Sequence, residues 1–185
     1  TSRGLGCTIR QISLVETRGE GFHAFVGPAL VPVGSSFGRN DGANNVVTLS
    51  GRYGGESSFS GAGAGGPATA VAVVSDLLGL AHRTPDGGEA WEPAGLVAPP
   101  ARPYYLRFVV RDKPGILASI AQALARQGIN LDAVLQEPGY PKDALPFVIT
   151  VEPCEEAALG RALADITSAD YHAEPPLALP MLLGV

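Results

Sequence analysis

Cysteine, lysine and long apolar runs are scarce in this chain of 185 residues, and each scarcity narrows the function. The two cysteines, Cys7 and Cys154, stand alone, with no Cys-x-x-Cys pair and no histidine cluster beside either. That argues against a disulfide scaffold and a structural zinc site, and it fits a reducing cytoplasm. No stretch nears the roughly 20 apolar residues of a spanning helix. No basic run and no basic–aromatic interleaving occurs, and the net charge is -5, so neither nucleic acid nor a membrane surface is an expected partner. The opening Thr1-Ser2-Arg3-Gly4 has no signal-peptide core. The absent initial methionine fits either processing before a threonine or cleavage from a longer protein. His23, His82 and His172 share no metal-ligand spacing and read as structural residues. Ser57, Ser58 and Ser60 lack the G-x-S-x-G elbow of a hydrolase nucleophile.

Glycine is abundant, and its densest run is the most informative segment. Gly61-Ala62-Gly63-Ala64-Gly65-Gly66-Pro67 leads into the apolar stretch Val71, Val73, Val74, Leu77, Leu78 and Leu80. The pattern predicts a strand, a tight turn and a helix over about 69–82, with Pro67 near the helix start. Apolar on nearly all sides, such a helix is expected to be buried. Glycines let another group approach the backbone, and the free N–H groups of a helix start suit an anion such as a phosphate. Yet the spacing is neither GxGxxG nor a P-loop, so the run reads as part of a nucleotide site rather than a whole one.

The chain divides in three: a β-rich segment over 1–82, a linker over 83–103 and a second segment over 104–185. Five prolines and three glycines argue against any regular element in the linker, whose Trp91 is expected to dock on a domain surface. In the first segment, 7–16 alternates as a strand, 22–33 is an apolar stretch that Pro28 and Pro32 confine to an edge or an irregular strand, and 45–60 is a hairpin turning at 51–55. These strands and one helix do not close a core alone and call for a partner chain or more of the same chain.

The second segment has the order strand, helix, strand, strand, helix, strand. Residues 105–111 alternate as a half-buried strand, and Pro114 suits the first position of the next helix. That helix carries Ile116, Leu117, Ile120, Ala121 and Leu124 on one face and ends at Gly128. Strands are expected over 130–136 and 147–151. A second helix follows over 154–166, with Ala157, Ala158, Ala162 and Ile166 inward and Glu155-Glu156 favouring its N-terminus. A last strand within 171–179 is broken by Pro175 and Pro176. The whole is an α+β chain whose second part follows the ferredoxin-like βαββαβ plan.

Asp112-Lys113-Pro114-Gly115-Ile116-Leu117, followed by Gln127-Gly128-Ile129-Asn130-Leu131, resembles the ACT domain, an amino-acid-sensing module. The run Gly61–Leu77 resembles the C-terminal part of the catalytic region of homoserine dehydrogenase, with Pro67 one place early and Val71 where that family has serine. Asn45 and Gly51 fit the same family's strand-and-turn pattern. The resemblance implies a partial catalytic α/β sheet segment followed by an ACT domain.

It also implies an NAD(P) contact at Gly65, with Gly63, Ala64 and Thr69 beside it. The other reading is a tight turn whose glycines serve packing, with Thr69 as a cap. In the ACT part the resemblance implies an amino-acid effector, threonine by analogy, at Asp112, Gly115, Asn130 and Gln136, at the interface of a homo-oligomer. The other reading is that Gly115 makes the turn and Asn130 satisfies backbone groups. The family's dinucleotide-binding domain and catalytic lysine have no counterpart here, since the two lysines, Lys113 and Lys142, fall in turns of the ACT-like part. The chain therefore reads as a C-terminal fragment of the enzyme, inactive alone, with NAD against NADP left open. A stand-alone amino-acid-sensing or oligomerisation protein is the alternative.

Overall fold

The computed structural model describes residues 2–82 and 95–184; Trp91 and most of the expected linker lie outside the described residues. Strand β1 (Cys7–Arg18) pairs antiparallel along its whole length with β2 (Gly21–Pro32), Cys7 facing Pro32 and Arg18 facing Gly21. Pro28 and Pro32 are tolerated because only β1 pairs continuously with β2; the other edge of β2 is bonded at Phe22 and Leu30, not at the prolines. A second antiparallel ribbon joins β3 (Asn44–Gly51) to β4 (Gly55–Ala62), and α1 (Gly66–His82) follows it.

The rest of the chain runs β5 (Arg102–Val110), α2 (Ile116–Arg126), β6 (Leu131–Leu135), β7 (Leu145–Cys154), α3 (Glu156–Thr167) and β8 (His172–Pro180). The four strands form one antiparallel sheet in the order β6-β7-β5-β8. This is the expected βαββαβ plan. Leu106, Phe108 and Val110 of β5 pack with Ile120 and Leu124 of α2 and with Leu159, Ala162 and Ile166 of α3 in one core. Helix α2 ends in a Schellman motif: Ile129 N–H bonds the Leu124 carbonyl at 3.1 Å and Gly128 N–H the Ala125 carbonyl at 2.9 Å.

Several expectations are corrected. Strand β5 is not half-buried: Tyr105 and Val109, on the face away from the helices, are both 4% exposed. Tyr105 packs with Cys7 and Leu30 of the β1–β2 ribbon and with Leu179 and Met181, so the ribbon covers the sheet's second face. The chain end joins this cover, since Leu182 N–H bonds the Leu30 carbonyl at 2.8 Å. The linker region is not wholly irregular, because Arg102 and Pro103 already belong to β5 and Leu96 bridges Phe22.

Pro114 lies outside α2; Gly115, at φ 92°, is the N-cap, a left-handed backbone that only glycine adopts without strain. Cys154 ends β7 instead of opening α3, and Leu159 replaces Ala157 on that helix's buried face. Strand β8 continues through Pro175 and Pro176, helped by its place at the sheet edge and by register shifts opposite Arg107 and Val109.

The largest correction concerns α1. It buries no residue; Val71 and Leu77 are 67% and 61% exposed. The described residues supply no surface against which its apolar sides pack. No helix among them is long and apolar enough to cross a membrane.

Candidate functional site

The glycine-rich turn crosses from β4 to α1. The Gly63 N–H bonds the Ala43 carbonyl at 2.8 Å, and a Cβ on Gly63 would fall 2.2 Å from the Asn45 side chain. Smallness at Gly63 thus serves contact with β3. Gly65 differs: it has φ 112°, and no atom lies within 4 Å of where its Cβ would stand. Ala64, between them, is exposed. Thr69 is exposed, and its N–H and hydroxyl both reach back to the Gly65 carbonyl at 3.0 Å. Its hydroxyl is therefore committed to the first helical turn. The N–H groups of Gly66 and Ala68 precede the first intrahelical bond and have no helical partner. The turn presents open backbone at Gly65 and free donors at a positive helix end, which fits one wall around an anionic dinucleotide.

A second arrangement lies at the start of α2. Asp112, Gly115 and Gln136 line one cavity of about 160 Å³, with Val110, Ile116 and Phe147 as apolar walls. Topology brings them together: β5 and β6 both run antiparallel to β7, so they point the same way and their C-terminal ends lie at one edge. Asn130, at the other end of β6, is not part of this cavity within one chain. About 20 Å of extended backbone separates it from Gln136. Its Nδ2 donates to the Glu152 carboxylate at 3.1 Å, and its carbonyl accepts the Glu152 N–H at 3.0 Å.

The cavity mouth is charged. Lys142 Nζ stands 3.8 Å from Asp112 Oδ2, and the Asp112 N–H bonds the Lys142 carbonyl at 2.6 Å. Lys113, which also lines the cavity, pairs with Asp170 at 3.2 Å. The sequence reading passed over Lys113 as a site residue, although its place beside Asp112 in the turn was a usable signal. A ligand here would meet both charge signs, the free N–H groups of the first turn of α2 and an apolar floor. Such a set suits a small zwitterion. Among the described residues no cluster of histidine, cysteine, aspartate and glutamate is placed to hold a metal.

Comparison with known proteins finds two matched parts of the chain. A family model for homoserine dehydrogenase matches residues 1–78, and one for the ACT domain matches residues 104–170. A homoserine dehydrogenase of Neisseria gonorrhoeae is 31% identical over 186 positions, covering 92% of this chain and 42% of that protein. A homoserine dehydrogenase of Pseudomonas aeruginosa is 29% identical over 185 positions, with 92% and 43% covered. The chain thus spans well under half the length of these relatives. The crystal structure of a homoserine dehydrogenase from Thiobacillus denitrificans matches with a TM-score of 0.79 at 28% identity, over 97% of this chain and 43% of that one. Residues 1–78 therefore belong to the homoserine dehydrogenase family, and residues 104–170 of the same chain are an ACT domain.

Proposed function

We propose that this chain is the C-terminal part of a cytoplasmic NAD(P)-dependent homoserine dehydrogenase, interconverting L-homoserine and L-aspartate 4-semialdehyde in the biosynthesis of threonine, methionine and isoleucine. The single observation behind this reading is the pairing, in one chain, of the open glycine turn at α1 with an ACT domain. A nicotinamide cofactor bound at this turn would supply the hydride chemistry between the alcohol carbon of homoserine and the aldehyde. This chain's share is positional. Gly65 offers uncovered backbone against the cofactor, Gly63 seats the turn on β3, and Thr69 holds the start of α1.

Proton transfer to and from the substrate oxygen belongs to a residue outside this chain. Its two lysines lie in ACT turns and pair with Asp112 and Asp170. The chain alone is therefore expected to show no homoserine-dependent reduction of NAD or NADP, and turnover by the purified 185 residues would refute this. The ACT cavity would hold an amino-acid effector, threonine by family analogy. Its carboxylate would lie on the N–H groups at the start of α2, its ammonium near Asp112 and its side chain near Gln136. Calorimetry with threonine tests this, and a folded chain that binds none removes the regulatory role. The uncovered apolar sides of α1 support a homo-oligomer, which light scattering would show as a mass above that of one chain.

A further inference from the structure

A cavity of about 380 Å³ lies on the seam between the β1–β2 ribbon and the ACT domain. Leu14, Phe25 and Pro28 of the ribbon contribute one side, and Leu159 and Leu163 of α3 another. It shares no lining residue with the Asp112–Gln136 cavity. Its volume falls in the range of small-molecule sites, roughly 300–1,000 Å³, as does its mostly apolar lining with a few polar groups.

Besides His23 on the ribbon side, those polar groups are of complementary kinds. Arg102 is 15% exposed, and its Nη2 is bonded to the carboxylate of Glu16. Its Nε and Nη1 make no hydrogen bond to a described residue, leaving guanidinium donors for a second acceptor. Glu156, in the first turn of α3, makes no hydrogen bond or ion pair with a described residue. The Tyr104 hydroxyl, also on the lining, carries no hydrogen bond among the described residues. Burial, then the nearby Glu156 and Cys154, push its pKa up to about 12 against the opposing Arg102, so at neutral pH it stays a donor.

Glu156, Gly160 and Leu163 line the cavity at i, i+4 and i+7, one stripe of α3. Glycine inside a helix costs about 1 kcal/mol relative to alanine. A Cβ at Gly160 would meet nothing within 4 Å, so packing does not demand the glycine there. Its effect is to leave room in the cavity.

We propose that this seam cavity binds a small zwitterion with an apolar tail, an α-amino acid with a branched or aromatic side chain. Its carboxylate meets Arg102, its ammonium meets Glu156, and its tail lies among Leu14, Phe25, Leu159 and Leu163. Walls from both segments make the occupant a clamp. It binds only where ribbon and ACT domain are docked, and it stabilises the docked state by mass action. This site is separate from the ACT effector cavity and does not depend on it.

Calorimetry and thermal unfolding of the 185-residue chain with L-leucine and L-phenylalanine test the proposal, with 3-methylbutylamine and 4-methylpentanoate as one-headed analogues of leucine. At least one amino acid is expected to bind and raise the Tm, with each analogue about tenfold weaker or more, as loss of one charged contact requires. Gly160→Leu is expected to abolish binding by filling the cavity. Glu156→Gln, at an exposed position that leaves folding intact, is expected to weaken the amino acid about tenfold and leave 4-methylpentanoate unchanged. No binding to the folded chain, or analogues as tight as the amino acid, overturns the proposal. So does binding that survives Glu156→Gln but is lost in Gln136→Ala, which would move the ligand to the ACT cavity.

Discussion

Arg102, at the start of β5, donates a charge-assisted hydrogen bond to the Glu16 carboxylate in β1, 86 residues away in sequence. The pair pins the homoserine dehydrogenase segment to the ACT domain beside a shared apolar core. Exposures of 15% for Arg102 and 35% for Glu16 place it between a surface pair and a buried one. Glu16→Ala leaves Arg102 largely buried without its partner, and a loss of about 1–2 kcal/mol is expected. Urea unfolding measures it. Glu16→Met combined with Arg102→Met is expected to lose less than Glu16→Ala, because no orphaned charge remains.

Gly115 tests the turn that builds the ACT cavity. With φ 92° and no atom within 4 Å of a Cβ, alanine there meets strain without any clash. Gly115→Ala is expected to cost about 1–2 kcal/mol in denaturant unfolding, and Gly115→Asn less, since asparagine visits the left-handed region more readily. Equal costs for both would point to a cause other than backbone strain.

At the other glycine turn the cause is steric. A Cβ on Gly63 would overlap the end of the exposed Asn45 side chain, which must then move aside, so Gly63→Ala is expected to destabilise by about 0.5–1 kcal/mol. Asn45→Ala in the same chain removes the obstacle. A double-mutant cycle is then expected to show a favourable coupling of at least about 0.5 kcal/mol. Additive losses would contradict the contact.

Alkaline stability follows from the buried phenols. Burial raises the Tyr104 pKa to about 12 and that of Tyr105 above its ordinary 10, the latter opposed by Arg107. The folded chain thus holds these protons more tightly than the unfolded chain. The stability they contribute is complete below pH 10 and is lost as pH rises towards 12. Tyr104→Phe is expected to flatten that fall in thermal unfolding across this window. An unchanged slope would mean that Tyr104 does not titrate there.

Two leucines separate core from uncovered surface. Leu124 is fully buried, and Leu124→Ala is expected to cost about 2–5 kcal/mol. Leu77 is 61% exposed in this chain, and Leu77→Ala is expected to stay within about 0.5 kcal/mol for the monomer. At concentrations where the chain self-associates, a larger effect of Leu77→Ala would show that an oligomer covers α1.

The readable part of the fold is local. Ile116, Ile120 and Leu124 recur at helical spacing and face the core, and Gly128 ends α2 where helix-stop chemistry places it. Boundaries failed where two local rules competed. Pro114 suits a helix start, but Gly115 takes the cap, since a left-handed turn is needed to enter α2. Cys154 stands between a strand and an acidic helix start, and β7 claims it by pairing with Arg102. Of the site residues, Asp112 and Gly115 were readable as one turn. That Gln136 joins them and Asn130 does not depends on strand direction, which the sequence of β6 does not carry.

The sequence by itself determined the order of elements, the ferredoxin-like plan of the second half and the family membership of both halves, because periodicity, turn residues and motifs are local properties of a chain. Tertiary structure decided which surfaces are covered. An apolar ribbon, an apolar helix and a sheet with an open face all ask for burial, and composition alone does not say which finds a partner. The β1–β2 ribbon covers the sheet through Cys7, Leu30, Tyr105 and Met181, whereas α1 is left in solvent. Contacts between residues far apart in sequence settle that choice, and they also create the Arg102–Glu16 seam and the cavity beside it.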